Sequence, residues 1–203
     1  MKVKDGKSLI LASSSPRRLE LLSQINIKPD SILPTNIDET PLKKELPKNY
    51  SIRIAKEKAI VAYNHKKAQS LKSAIILAAD TVSAIGRRIM PKAENNEQVK
   101  QCLESFSGRR HKVYSSICAI DEKGKIRTKT SISVVKFKRL EKREIDLYLQ
   151  SGEGIGKSGG YAIQGLGAIF IDFISGSYSG IMGLPIYETR NMLQSYNFVT
   201  IKF

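Results

Sequence analysis

At 203 residues with 41% hydrophobic content the chain can bury a substantial core, and since no apolar run approaches the ~20 residues that cross a bilayer, no membrane partner is expected. The net charge is +15, but the basic residues are scattered and accompany no nucleic-acid-binding motif, so we interpret the charge as a surface property that attracts polyanions and expect no specific nucleic-acid partner. The two cysteines lack metal-ligand spacing and the first residues lack a signal-peptide pattern, which favours a cytoplasmic protein without structural disulfides.

The first structural signal is a strand followed by a turn and a helix. Residues 9–12 are apolar and predict a short buried strand, serines form the turn, and Pro16 is the expected first residue of a helix capped by Ser15. Such a helix start directs free N–H groups and a positive dipole end at one place, which is a generic anion site. Arg17 and Arg18 lie in the first turn, where they oppose the dipole. They indicate either a bound anion such as phosphate or an ordinary solvated pair.

Strand and helix patterns alternate along the rest of the chain. Apolar runs predict strands near residues 30–34 and at 74–85, and helical spacing predicts helices at 50–69 and 95–106, with Cys102 on the buried stripe of the latter. Further along we expect a hairpin of strands at 111–121 and 125–138, a helix at 141–150, a glycine-rich stretch at 152–167, a strand at 168–174, a helix from Pro185 and a terminal strand at 198–203. No linker divides the chain. Residues 1–203 are therefore expected to form a single elongated α/β domain, with a central mixed sheet flanked by helices and two lobes around an active-site cleft.

Acidic residues at two places are candidates for chemistry. Asp80 and Thr81 follow the apolar run 75–79, and a carboxylate there is costly to bury unless it meets a cation, a metal or a catalytic task. Asp38 and Glu39 lie in a loop ahead of a helix and could join Asp80 as oxygen ligands for Mg²⁺ or Mn²⁺. The alternatives, a capping aspartate and a solvated acidic turn, stay open on the residues alone.

Basic and glycine-rich segments supply the other candidates. Lys56 and Lys58 lie on a predicted helix and Lys92 follows a predicted strand, where each is either a surface residue or a cation for a phosphoryl group. The segment 157–168 combines several glycines with Gln164, whose amide can both donate to and accept from a base edge. The alternative is a flexible loop, which the regular interleaving of apolar residues disfavours.

Together these segments resemble the Maf family of nucleoside triphosphate pyrophosphatases over residues 9–193. Each motif is short, but their order and spacing are specific. The motifs are Ala-Ser-Ser-Ser-Pro-Arg-Arg (12–18), Asp-Glu-Thr (38–40), Ile-Ala-Lys-Glu-Lys-Ala (54–59), Ala-Asp-Thr-Val (79–82), Leu-Glu-Ser-Phe-Ser-Gly-Arg (103–109), Tyr-Ala-Ile-Gln-Gly-Leu-Gly (161–167), Gly-Ser-Tyr-Ser (176–179) and Gly-Leu-Pro (183–185).

The resemblance implies hydrolysis of a nucleoside triphosphate between its α and β phosphates, with a divalent cation, Mg²⁺ or Mn²⁺, as cofactor. By position it implies that Asp80 is the proton acceptor and that Glu39 and Asp80 hold the metal. It also implies substrate-binding roles for Ser13, Arg17, Arg18, Lys58 and Lys92. Arg17, Thr81 and Gln164 match the branch that acts on dTTP and UTP, rather than the one that acts on 7-methyl-GTP.

The chain departs from the family pattern at Ala78, at Arg110 and in Pro91-Lys92-Ala93, which puts the position of Lys92 in doubt. The expected partner is the nucleotide, and a homodimer stays open. The alternative function is a regulator of cell division (septum formation) that acts by binding a partner or nucleic acid.

Overall fold

A seven-stranded mixed sheet forms the centre of the molecule. The computed structural model describes residues 6–67 and 73–198. The strands are β1 (Ser8–Leu11), β2 (Ser31–Ile32), β3 (Ala74–Ile85), β4 (Arg88–Ile89), β5 (Arg110–Ile120), β6 (Ile126–Phe137) and β7 (Ile171–Ser175). Their order is β2-β1-β3-β5-β6-β7, with β4 paired to β3. Because β1 runs parallel to β2 and β3 while β5, β6 and β7 are antiparallel to their neighbours, the expected mixed sheet is confirmed.

Six α-helices surround the sheet in the described part of the chain. They are α1 (Pro16–Gln24), α2 (Pro47–Lys67), α3 (Asn96–Phe106), α4 (Lys142–Ser151), α5 (Tyr178–Met182) and α6 (Ile186–Gln194). Among the described residues, none of the helices combines the length and the apolar character needed to span a membrane.

The alternation of side chains along β3 assigns its residues to two packed layers. Ile75 and Leu77 pack with α1 and α6, whereas Ile76 and Ala78 face the alanine-rich side of α2. A further core gathers residues of α3 and α4 around Phe106 and Phe137. Since residues of a strand alternate between faces, Asp80 is directed to the α2 layer and Thr81 to the opposite one.

Several details differ from the sequence-based expectations. Residues 166–170 form a 3-10 helix, so β7 begins at Ile171 rather than at Ala168, and the short helix α5 was not predicted. An apolar run at this position fits either structure, which is why its pattern does not separate them. Ser15 lies at the N-cap of α1, but its side chain makes no capping hydrogen bond. The predicted helix end at residue 69 and the terminal strand beyond residue 198 lie outside the described residues.

Candidate active site

One cleft collects all nine residues that the family resemblance assigned to the active site. It has a volume of about 1030 Å³ and lies between the β1–α1 turn and the segment 156–164. The predicted residues that line it are Ser13, Arg17, Arg18, Glu39, Lys58, Asp80, Thr81, Lys92 and Gln164. These residues come from six separate segments of the chain, so only the folded protein brings them together.

The β1–α1 turn places two arginines with different surroundings at the cleft. Arg18 donates from Nη1 to the Ser13 hydroxyl (2.9 Å) and from Nε to the Gly183 carbonyl (3.0 Å). Ser13 is buried and also accepts from the Ser15 N–H at 3.2 Å. Burial lowers the pKa of Arg18, and nearby Asp80 opposes that shift. Arg18 is therefore fixed by the protein itself.

Arg17 differs because its guanidinium makes no hydrogen bond to another residue in the described ranges. It is half-buried, and desolvation lowers its pKa although Glu20 opposes the shift. Its donors face the cleft without a protein acceptor. That is the situation expected of an arginine that binds an anionic ligand.

A buried lysine joins the two acidic candidates. Lys58 Nζ lies 2.7 Å from Glu39 Oε1 and 3.1 Å from Asp80 Oδ1. Lys58 and Asp80 are 8% and 5% exposed, so this ion pair is shielded from solvent. Of the two helix lysines, the structure thus selects Lys58 for the cleft, whereas Lys56 is exposed and does not line it.

Asp80 lies in the middle of β3, opposite Ser116 of β5, rather than at a strand end. Burial raises the pKa of its carboxyl group above the ordinary value of 3.8, while Lys58 and Arg18 act in the opposite direction. A carboxyl group with a raised pKa and cationic neighbours is a candidate proton acceptor.

The acidic loop contributes only one of its two carboxylates to the cleft. Asp38 is exposed, does not line the cleft, and accepts the N–H of Thr40 at 2.9 Å. The interpretation of Asp38 as a ligand beside Asp80 is therefore wrong, because neighbouring residues in an extended loop point in different directions. Glu39 is held toward the cleft by its carbonyl, which accepts from the Tyr50 hydroxyl at 2.8 Å.

The position of Lys92 is set by pairing between two distant segments. Lys92 forms an antiparallel bridge with Ser158, supported by hydrogen bonds from Gly159 N–H to the Pro91 carbonyl (2.9 Å) and from Ala93 N–H to the Lys157 carbonyl (3.1 Å). The departure of residues 91–93 from the family pattern thus leaves Lys92 at the cleft.

The same pairing brings in a cation that the sequence did not identify. Lys157 lines the cleft, and its pKa is lowered by burial and then by the positive charge of Arg17 and Lys92. Three cationic side chains therefore face one region. The only sequence signal for Lys157 was its place at the start of the glycine-rich segment 157–168.

Comparisons with known proteins identify the family of the chain. The family model described as Maf-like protein matches residues 8–196. The chain belongs to the Maf family. A dTTP/UTP pyrophosphatase of Wolbachia pipientis wMel is 52% identical over 191 residues, which cover 93% of each chain. A nucleoside triphosphate pyrophosphatase of Rickettsia felis is 50% identical over 198 residues, 96% of each chain. Among solved structures, a HAM1 protein from Coxiella burnetii aligns with a TM-score of 0.44 and 17% identity over 66% of this chain and 74% of that chain.

Two of the three candidate specificity residues of this Maf protein, Thr81 and Gln164, lie at different depths. Thr81 Oγ1 is 2.5 Å from the Ser115 hydroxyl, which donates to the Gly180 carbonyl at 2.6 Å, so Thr81 is tied to α5. Gln164 is exposed at the cleft wall, and its amide makes no hydrogen bond to another residue in the described part of the chain. The amide is therefore available to a ligand.

Two carboxylates are available for a divalent cation in this Maf protein. Among the described residues there is no cluster of three or more histidines, cysteines or acidic residues. Glu39 and Asp80, both within reach of Lys58, nevertheless suit Mg²⁺, which proteins often hold with one or two carboxylates while substrate phosphates supply other oxygens. The residues fit a metal that binds together with a triphosphate.

Proposed function

We propose that this Maf protein hydrolyses nucleoside triphosphates, preferentially dTTP and UTP, to the monophosphate and pyrophosphate. The observation that carries the proposal is the buried Lys58–Asp80 pair in a cleft that also holds cationic side chains. The names of the relatives support the same activity. A regulator that acted only by binding would not require a desolvated carboxylate beside phosphate-binding cations.

In the proposed reaction, Asp80 accepts a proton from the attacking water. A water molecule attacks the α-phosphorus, so that a new oxygen–phosphorus bond forms while the bond from that phosphorus to the α–β bridging oxygen breaks. The proton of the water passes to the Asp80 carboxylate, and the bridging oxygen leaves with pyrophosphate. Lys58 pairs with both carboxylates, so it holds Asp80 in position and keeps Glu39 close to Asp80.

The charge that develops on the phosphates is met by basic side chains. Arg17, Lys92 and Lys157 line the cleft, and Arg17 has donors without a protein acceptor. Fixed cations at the place where charge develops stabilise the transition state more than the ground state. A divalent ion held by Glu39 and Asp80 would supply further charge neutralisation on the phosphate oxygens.

Replacing Arg17 with alanine is expected to raise the KM for dTTP about tenfold or more, because hydrogen bonds to charged groups are worth about 1.5–3 kcal/mol. Steady-state kinetics at low and at physiological ionic strength measure the effect. Arg143→Ala is the matched control. Arg143 and Arg17 are each the second residue of their helix, α4 and α1, but Arg143 is exposed. Equal KM values for the two variants would show that Arg17 is a solvated surface residue that does not bind the nucleotide.

The base preference is assigned to Gln164. Uracil and thymine share the same O2, N3–H and O4 edge, so one amide with a donor and an acceptor can serve both bases. A base with a different edge would leave polar groups unpaired, which discriminates strongly. We therefore expect good turnover of dTTP and UTP and poor turnover of CTP and purine triphosphates.

The function is tested by pyrophosphate release from a panel of canonical and modified nucleotides with Mg²⁺, Mn²⁺ or Co²⁺. Gln164→Glu should depress turnover of dTTP and UTP alike, because a carboxylate cannot donate to a carbonyl oxygen. Gln150→Glu makes the same change on an exposed part of α4 away from the cleft and should leave turnover unchanged. A wild-type preference for 7-methyl-GTP would contradict the base assignment while sparing the pyrophosphatase activity.

A further inference from the structure

A carboxylate outside the cleft holds the backbone that carries Gln164. Glu153 Oε1 accepts the Leu166 N–H at 2.8 Å, and its Oε2 accepts the Gly167 N–H at 3.0 Å. Glu153 does not line the cleft, although its negative charge raises the pKa of Lys157, which does. One side chain therefore binds two consecutive amides, two and three positions after the expected base-reading residue Gln164.

Tyr148 extends this contact to the other side of Gln164. Its hydroxyl donates to Glu153 Oε2 at 2.9 Å and accepts the Ala162 N–H at 3.3 Å. The ring is buried and packs edge-on against Phe170, with centroids 5.3 Å apart. We call Glu153 and Tyr148 the clamp, since together they bind residues 162–167.

The chain around the clamp is built for this close approach. Helix α4 ends at Gly152 with φ of +67°, a left-handed conformation that turns the chain directly before Glu153. A Cβ at Gly165 would overlap the Glu153 carboxylate, so a side chain there would displace the clamp.

Packing supports the two sides of Gln164 unequally. Before it, Tyr161 and Ile163 are 6% and 4% exposed and belong to the core around Phe106 and Phe137. After it, Leu166 and Ile169 of the 3-10 helix are 53% and 66% exposed, so their burial contributes little to holding this stretch in place. The Gln164 amide likewise has no hydrogen bond to another described residue that would orient it. Its direction therefore depends on its backbone, which the core holds before Gln164 and the Glu153 carboxylate holds after it.

We infer that Glu153 and Tyr148 are positioning residues that set base selectivity by fixing the backbone on both sides of Gln164. The inference rests on the proposed function and deepens it, because it names the support of the base-reading residue. Glu153 acts through Gln164 and does not touch the nucleotide. If the Gln164 amide is displaced, binding of the preferred bases is weakened more than the chemical step is slowed.

The test uses Glu153→Gln and Tyr148→Phe in the full chain, with dTTP, UTP, CTP and GTP as substrates. In Glu153→Gln one acceptor becomes an amide donor that opposes an N–H, whereas Tyr148→Phe removes one hydroxyl and keeps the ring. For each variant we expect the KM for dTTP to rise and the preference for dTTP over CTP to fall, by about tenfold to a hundredfold, with kcat little changed. The matched control is Glu144→Gln, since Glu144 caps the other end of α4 through the Glu141 N–H at 3.0 Å and should keep wild-type selectivity.

A double-mutant cycle with Gln164→Ala separates positioning from general support of the fold. If the clamp acts through Gln164, adding Glu153→Gln or Tyr148→Phe to Gln164→Ala should change selectivity less than about twofold, because coupled residues are non-additive. Equal effects in both backgrounds, or wild-type selectivity in both single variants, would overturn the inference while leaving the proposed function intact. If Glu153→Gln does not fold, Tyr148→Phe decides. Absence of pyrophosphate release by the wild type would overturn the proposed function, and the clamp assignment with it.

Discussion

Replacing Asp80 with asparagine is expected to slow pyrophosphate release by about 10²–10⁴-fold, the usual loss when one acid–base group is removed. The amide cannot accept the proton of the attacking water, and it is a poorer ligand for a divalent cation. Single-turnover kinetics at saturating nucleotide and metal measure the chemical step directly. Near-normal turnover of Asp80→Asn would show that another group accepts the proton.

The stability of the same variant separates catalysis from folding. Because burial raises the pKa of Asp80, the folded protein binds this proton more tightly than the unfolded chain does. The stabilisation from protonated Asp80 is thus fully present below its ordinary pKa of 3.8 and is lost as the pH rises through the folded value. At neutral pH asparagine removes a desolvated charge, and Lys58 keeps its other partner, Glu39, at 2.7 Å, so urea unfolding should show no loss beyond about 1 kcal/mol.

Asp38→Asn is the control for this experiment. It makes the same chemical change on an exposed aspartate outside the cleft, and asparagine retains an oxygen that accepts the Thr40 N–H. Turnover should stay at the wild-type level. An equal loss in Asp38→Asn would mean that the effect does not come from the buried carboxylate.

Lys58→Met is expected to reduce both turnover and the free energy of unfolding. The change leaves Asp80 buried without its nearest cation, and removal of one partner of a buried pair typically destabilises a protein by about 3–5 kcal/mol. Urea unfolding followed by circular dichroism measures the loss. Lys56→Met, an exposed change two residues away on α2, is the control and should cost less than about 0.5 kcal/mol.

The loss in Lys58→Met has a defined pH dependence. Lys58 is the largest influence that lowers the pKa of Asp80, so its removal raises that pKa further. The penalty should therefore be greatest where Asp80 is still ionised and should shrink on acidification, as Asp80 takes up a proton. A pH-independent loss would indicate lost packing of the lysine stem instead of an unpaired charge.

The sequence predicted most of the sheet, because the apolar patterns of strands are local. The nine residues that the family motifs assigned to the site all line the cleft. An apolar run ending in a carboxylate identified Asp80, although β3 continues beyond it, and the strand–turn–proline pattern located the start of α1. What it could not resolve depends on distant pairing. Lys157 reaches the cleft only because residues 91–93 pair with 156–159, and no local pattern encodes that contact.

Residues that lie close together in sequence proved hardest to separate. Lys56 and Lys58 differ in burial, and Asp38 and Glu39 differ in whether they line the cleft. The rotation of α2 relative to β3 determines which of Lys56 and Lys58 is buried. The Tyr50 contact with the Glu39 carbonyl helps to place Glu39, and not Asp38, at the cleft. Both depend on tertiary packing that spacing alone does not specify.

The hydrogen bond between Arg18 and Gly183 joins residues 165 positions apart, and its consequence concerns synthesis of the chain. A ribosome-bound polypeptide has the first strand and helix early, yet it lacks the carbonyl that holds this guanidinium until Gly183 has emerged. Contacts of such long sequence separation form late, because closing the intervening loop loses chain entropy before the contact forms. The Arg18 guanidinium is thus fixed in the cleft only after synthesis has passed residue 183.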